Sequence, residues 1–461
     1  MQTLRAHQLE PSSRIAWAIV LSSALVCGWI LSGCDRRAKT SASALAPATA
    51  PAPAIVPAQA SAFYADTFEK RPSVAEKAAL GRKLFHAPEL SASGTQSCAT
   101  CHQPEFAYAS GNDLATQPGG TDGHAQGERA VPTLRYLDNV PRFDEHYQDS
   151  DGDGTDQGPA GGFTWDGRAQ TAHEQARLPL FSPLEMANRD PASLIARVRA
   201  GPVAAAIRET FGEHALDTPE SGLKAILLAL EIFQQDAAEF HPFDSKFDAF
   251  LRGRVALTAQ EQHGLQVFND KDKGNCAVCH LSQLKNGAFP VFTDFGFVAL
   301  GVPRNRALPA NADPSHFDLG LCGPLRTDLT KHDEYCGMFR TPTLRNVTRK
   351  KRFFHNGAMK SLEDVVRFYV ERDVHPEKFY AHSPRGLVLF DDLPPRYHAN
   401  VNREPPFGRT AKQGPALTAA EQRDLIVFLH TLEDGYRADA SSRAESTGHA
   451  DSSREHASAA K

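Results

Sequence analysis

A surplus of basic charge is missing. Fifty Lys and Arg stand against 55 Asp and Glu, a net charge of −5, so composition forces no basic face and argues against nucleic-acid binding. Convincing runs of alternating apolar and polar residues are also missing, which argues against a strand-built core. Methionine is scarce: beyond the N-terminal leader only Met186, Met338 and Met359 occur. Any of the three could be a soft axial ligand, but core packing is the commoner fate of a methionine. No cysteine is left unassigned. Of eight, Cys27 and Cys34 fall at the N-terminus and four form two Cys-x-x-Cys-His motifs. Cys322 and Cys336 remain, and an oxidising compartment allows them to pair.

What is present begins with a leader. Arg5 and Arg14 precede an apolar run over residues 15–31, and Leu31-Ser32-Gly33-Cys34 resembles a bacterial lipobox. Residues 1–33 are therefore expected to be a lipoprotein signal peptide, with Cys34 lipidated as the mature N-terminus. An uncleaved transmembrane anchor is the other reading. Either way the body lies outside the cytoplasm, and Asp35 after the cysteine points to the periplasm, anchored to the inner membrane. Residues 34–61 are rich in Ala, Pro and Ser and read as a disordered tether, and residues 437–461 read as a disordered tail.

Between these ends the chain repeats itself. Ser73-Val74-Ala75-Glu76 and Thr258-Ala259-Gln260-Glu261 are capping-box signatures, each shortly before a Cys-x-x-Cys-His motif. Gly81 and Phe85 of the first stretch are echoed by Gly264 and Phe268. Pro132-Thr133-Leu134-Arg135 recurs as Pro342-Thr343-Leu344-Arg345, and Phe163 with Asp166-Gly167 as Phe354 with Asn356-Gly357. Two homologous halves explain this order. Helical spacing of apolar residues marks 191–210 and 219–238, while Ser361 with Asp364 and Thr418 with Glu421 open two more helices. The fold expected is all-α: two homologous helical halves at 62–245 and 246–436, joined by long loops.

Cys-x-x-Cys-His has a physical logic. Two thiols one turn apart reach the vinyl groups of one porphyrin edge, and the adjacent histidine meets the iron. A lone motif could be a redox dithiol or half a zinc site. Two copies behind matching helices point to two c-type haems, held by Cys98, Cys101 and Cys276, Cys279, with His102 and His280 as proximal ligands.

Several blocks together resemble the bacterial dihaem cytochrome c peroxidases and their MauG-like relatives. They are Leu80-Gly81-Arg82-Lys83-Leu84-Phe85, Ser97-Cys98-Ala99-Thr100-Cys101-His102, Trp165-Asp166-Gly167-Arg168, Glu185-Met186, Arg340-Thr341-Pro342-Thr343-Leu344-Arg345-Asn346 and Phe354-His355-Asn356-Gly357. The resemblance covers most of residues 62–436. It implies two cytochrome c-like helical domains, each with one covalently bound c-type haem: an open peroxidatic haem in the first domain and a six-coordinate electron-transfer haem in the second. It makes Glu185 the distal acid-base carboxylate, Gln175 its distal partner and Trp165 the electron relay between the haems. The apolar neighbours of Glu185 (Leu184 and Met186 among them) would raise its pKa as a general base requires. Where the peroxidases place a methionine ligand to the second iron, MauG-like proteins carry a tyrosine, and Tyr369 occupies that place.

The chain also departs from the family. A loop histidine that can cap the first haem has only a loose match in His124. The family's interdomain calcium site uses an asparagine where Ala130 stands, and Arg349-Lys350-Lys351-Arg352 replaces a neutral stretch beside it, so both changes weigh against calcium there. The insertion at 149–156 begins like a calcium loop, but Ala160 stands where the bidentate glutamate belongs, and a solvated acidic turn is the reading. The basic run 349–352 reads as a solvated loop or a face that steers an acidic partner.

The function expected is reduction of hydrogen peroxide at the first haem, with electrons from a small donor protein or from a protein substrate whose side chain is oxidised in the MauG manner. The alternative is a non-catalytic dihaem electron carrier. The resemblance also brings the homodimer as an oligomeric state.

Overall fold

In the computed structural model, which describes residues 62–65, 67–148 and 155–437, the long helices begin where the sequence supplies a cap. The leader, Cys34, the tether, the tail beyond residue 437 and residues 149–154 lie outside the described residues. Helix α1 (Val74–Phe85) starts at Ser73, whose hydroxyl accepts from Glu76 N while the Glu76 carboxylate accepts from Ser73 N at 2.7 Å. Such a cap is worth about 1 kcal/mol. The short α2 (Cys98–Cys101) carries the first thiol pair. After the paired segments β1 (Pro118–Gly119) and β2 (Ala125–Gln126) come α3 (Ala172–Phe181), α4 (Pro191–Ala200), α5 (Val203–Phe211), α6 (Pro219–Gln234) and α7 (Ala237–Phe240).

The second half holds α8 (Lys246–Leu251), α9 (Ala259–Asn269), β3 (Phe297–Val298), β4 (Phe339–Arg340), α10 (Leu362–Glu371), β5 (His382–Ser383), β6 (Gly386–Leu387) and α11 (Ala419–His430). Thr258 with Glu261 and Thr418 with Glu421 close capping boxes on α9 and α11.

Two expectations need correction. The helical stretch 191–210 is two helices, because Gly201-Pro202 ends one and starts the next. The fold is helix-rich rather than strictly all-α. Among the described residues, three antiparallel pairs of two-residue strands pin the loops, each too short for an alternating pattern to appear in sequence.

The repeat has a physical cause in the helix crossings. A methyl group added at Gly81 of α1 would lie 2.0 Å from Ala229 O of α6, and one at Gly264 of α9 would lie 2.0 Å from Asp424 O of α11. Each half therefore needs glycine where two helix backbones touch. Buried apolar side chains gather in one cluster drawn from residues 80–240 and another from residues 247–432.

Asp434 ties the two Pro-Thr-Leu-Arg segments together. Its carboxylate accepts from Arg135 Nη1 (2.5 Å), Tyr136 OH (2.5 Å) and Asn346 Nδ2 (2.6 Å). Arg345, 1% exposed, pairs bidentately with buried Asp248 at 2.8 Å. The run 349–352 proves to be a staple rather than a free basic face. Arg349 pairs with Glu433 at 3.6 Å. Lys350 and Lys351 lie over the rings of Trp165 and Phe106 from the first half, and Arg352 donates to Asp113 O.

The stretch beyond α10 is held by Arg372, a buried side chain that donates to Leu300 O and Asn402 O and stacks 3.8 Å from the Phe407 ring centre. Cys322 and Cys336 are joined in a disulfide. At the described end of the acidic insertion, Asp156 pairs with His146 at 2.7 Å on the surface, and buried Ala160 spends its N–H and C=O on Asp144.

Candidate active site

Each Cys-x-x-Cys-His motif presents its histidine in the same way. His102 Nδ1 lies 2.8 Å from Tyr108 O and His280 Nδ1 lies 2.9 Å from Phe292 O. A carbonyl only accepts, so Nδ1 carries the proton and the Nε2 lone pair is free for a metal. Burial pushes both imidazoles below their ordinary range, His280 to about 4, which keeps them neutral. The thiols are shifted the opposite way for redox or zinc chemistry. Burial lifts Cys98, Cys276 and Cys279 to about 12 and Cys101 to about 11, whereas a reactive or metal-bound sulfur is a thiolate. Among the described residues, no cluster of three or more His, Cys, Asp and Glu side chains is arranged to hold a bare metal ion.

A cavity opens over each motif. The first, about 560 Å³, is lined by Cys98, Cys101 and His102 and also by Gln175, Pro179 and Glu185. The second, about 180 Å³, is lined by Cys276, Cys279, His280 and Tyr369 among largely apolar side chains. Paired thiols, a histidine with its outer nitrogen free and apolar walls fit a haem in each. Trp165 and Arg340 line both cavities. Trp165 is 7% exposed, and its Nε1 donates to Ala130 O at 2.8 Å.

Glu185 sits in the turn after α3. Its carbonyl accepts from Gly120 N at 2.7 Å, and a methyl on Gly119 would lie 2.1 Å from Leu184 O. The Pro118-Gly119-Gly120 segment thus clamps the backbone of the carboxylate. The side chain is accessible within the cavity but crowded by protein, and this crowding raises its pKa, opposed by Ser182 and then Arg168.

The site brings together Cys98, Cys101, His102, Gln175, Glu185 and Trp165, and separately Cys276, Cys279, His280 and Tyr369. It does not bring in His124, which is exposed and lines neither cavity. Met186 lines the first cavity, and Met338 and Met359 line neither.

The Tyr369 phenol has no hydrogen bond to any described residue. Burial, followed by the nearby Cys279 and Cys276, pushes it above its ordinary range. An orphaned hydroxyl facing an apolar cavity needs a partner that the cavity's occupant would supply.

Helices α3 and α10 are matching elements. Bridges Phe163–Ala169 and Phe353–Met359 precede them, Gly167 and Gly357 share φ near +64° (64° and 63°), and Thr171 and Ser361 are their N-caps. Eight residues past each cap stand Pro179 and Tyr369. Pro179 cannot ligate a metal, and it gives no N–H to the carbonyl of Gln175 one turn earlier. Sequence reading missed Pro179, Arg340 and the Gly119-Gly120 clamp. A proline inside a capped helix and a Gly-Gly pair were the available signals.

Residues 75–256 match the family described as di-haem cytochrome c peroxidase. The methylamine utilization protein MauG of Paracoccus denitrificans is 34% identical over 375 residues, which cover 79% of this chain and 90% of that protein. The cytochrome c551 peroxidase of Pseudomonas aeruginosa is 30% identical over 301 residues, 64% of this chain and 72% of that one. Among solved structures, the diheme peroxidase BthA from Burkholderia thailandensis matches with a TM-score of 0.70 and 39% identity, covering 79% of this chain and 87% of that chain. With the two cavities and the ordered repeat, these similarities lead to one conclusion: the chain belongs to the dihaem cytochrome c peroxidase and MauG family of oxidoreductases.

Proposed function

We propose that this chain is a c-type dihaem peroxidase that reduces hydrogen peroxide in its first cavity, with electrons entering through the second. The observation that carries the reading is the contrast between Pro179 and Tyr369 at one helical register. The first cavity is roomy and has no side chain at that register able to close an iron's sixth position, while the second offers an unpartnered phenol.

In this reading Cys98 with Cys101 and Cys276 with Cys279 hold the haems by thioether bonds, within cytochrome c-like domains spanning 62–245 and 246–436. His102 and His280 are the proximal ligands. Haem in the first cavity supplies an iron at which the O–O bond is reduced. Glu185 takes a proton from one peroxide oxygen and returns it to the other, the task for which a raised carboxyl pKa suits it. Gln175, on the same wall, orients the peroxide by hydrogen bonding. Two electrons and two protons convert the peroxide to two waters, and the indole of Trp165 spans the wall those electrons cross.

Tyr369 would bind the second iron through its phenol oxygen. A phenolate is a harder donor than a thioether and favours ferric and higher-valent iron, which would suit a site that holds an oxidising equivalent until a partner protein's side chain or a small donor cytochrome supplies the electron. The Cys322–Cys336 disulfide supports a periplasmic location, in which Cys34 carries the lipid that anchors the chain to the inner membrane. Calcium has no part in the reading. Ala130 offers no side-chain oxygen, and its carbonyl is taken by Trp165.

Haem content by pyridine haemochromogen, with EPR of the oxidised protein before and after one equivalent of peroxide, tests the proposal. Two covalent haems, one high-spin and one low-spin, and consumption of peroxide are expected. Two low-spin haems inert to peroxide would overturn it in favour of an electron carrier.

A further inference from the structure

Three donor groups line the second cavity: Lys350 and Arg340 have no carboxylate in contact among the described residues, and His355 Nε2 lies 3.9 Å from Asp392 Oδ2. Lys350 makes no hydrogen bond or ion pair through its ammonium to any described residue. Its one recorded contact is with the Trp165 ring, 5.7 Å from the centre. Arg340, 7% exposed, gives Nη1 to Gly162 O at 2.7 Å and has no carboxylate in ion-pair contact among the described residues. His355, 6% exposed, has a buried Nε2 with no hydrogen-bond partner and stacks on Phe339, 3.5 Å between ring centres.

These groups are contiguous. Arg340 N donates to Trp165 O at 2.9 Å, Ala130 N donates to His355 O at 2.7 Å, and Phe339 adjoins Arg340 in β4. Burial alone lowers Lys350, to about 8, and no neighbouring acid opposes it. A half-buried ammonium and a buried guanidinium with no carboxylate in contact, beside an imidazole nitrogen with no hydrogen bond, mark a place where negative charge is to be supplied.

We propose that Lys350, with Arg340 and His355 beside it, receives the carboxylate edge of the haem in the second cavity, and that its fixed positive charge raises the reduction potential of that haem. The inference rests on the assignment of a haem to this cavity. A cation close to a redox centre stabilises the form with one more electron, and in a low-dielectric wall this attraction is poorly screened. Lys350 therefore acts as a positioning and tuning residue rather than a catalytic one. It also explains why the run at 349–352 turns one lysine inward while Lys351 and Arg352 reach Phe106 and Asp113 of the first half.

The test compares Lys350→Gln and Lys350→Arg with the unaltered protein, reading haem content and the midpoint potential of each haem by spectroelectrochemical titration. Lys350→Gln is expected to lower the midpoint of the second haem, with a smaller change at the first, or to lose that haem. Lys350→Arg is expected to keep both haems and a midpoint close to the original. Unchanged midpoints in Lys350→Gln would overturn the proposal. So would equal losses in both variants, since retained charge would then not be what matters. Two haems in the unaltered protein confirm the underlying assignment separately, so failure of either is distinguishable.

Discussion

Pro179 and Tyr369 stand at one position of a repeated helix, eight residues beyond the N-caps Thr171 and Ser361. One is a residue that cannot bind a metal, and the other a phenol with no hydrogen-bond partner among the described residues. A duplicated module has been made into two unlike sites by changing what this register presents.

Replacing Tyr369 with Phe removes the oxygen and keeps the ring. The expected outcome is a second haem that gains a high-spin signal in EPR, while the spectrum of the first is unchanged. A persistent low-spin second haem would show that another group supplies the sixth ligand.

Glu185→Gln preserves shape and removes the proton-accepting carboxylate. Peroxide turnover should fall at least about 100-fold, the lower range for loss of a general acid–base group. Both haems should remain, because Glu185 is clamped through its backbone by Gly119-Gly120. Steady-state peroxide consumption, normalised to haem content, checks this.

Gly264→Ala drives a methyl group into Asp424 O at the α9–α11 crossing. Overpacking of this kind costs about 1–3 kcal/mol, and thermal unfolding of the haem-loaded protein should show a lowered midpoint. Alanine at the exposed Gly287, where φ is +80° and nothing lies within 4 Å, adds only local backbone strain, so the drop at Gly264 should exceed the drop there.

Arg345 and Asp248 give stability an acid limit. Burial alone would raise Asp248, but the hydrogen bonds and charge of Arg345 outweigh it and hold the carboxyl below its ordinary range. A carboxylate depressed in the folded state contributes stability that is complete above its unfolded pKa of about 3.9 and is lost as pH falls through the lower folded value. Asp248→Asn should therefore flatten the pH dependence of unfolding below about pH 4. It should also destabilise the protein at neutral pH by about 3–5 kcal/mol, the cost of leaving Arg345 buried and unpaired. Chemical denaturation across pH reads both effects.

Much of this arrangement was legible in the sequence. Capping boxes and the two Cys-x-x-Cys-His motifs are local signals, and each structure they imply forms within a few residues, whereas Gly81 and Gly264 were visible as a repeat but not as helix crossings. What was hidden depends on residues far apart. The two-residue strands exist because loops such as 297–298 and 339–340 meet across the fold. Lys350 could not be told from its basic neighbours until Trp165, from the other half, was placed against it. The pKa of Glu185 was foreseen from apolar neighbours, but its clamp comes from a glycine pair 65 residues earlier.

The staple at 349–352 and the knot around Asp434 have one further consequence. Residues of both halves are bound together there, through the buried Arg135–Asp434 ion pair and through Lys350 against Trp165, so neither half can swing without breaking these contacts. The gap an electron must cross is then a fixed construction length rather than a fluctuating one. Transfer between the cavities should follow the difference in potential across the wall and be insensitive to solvent viscosity, as expected of a wire rather than a hinge.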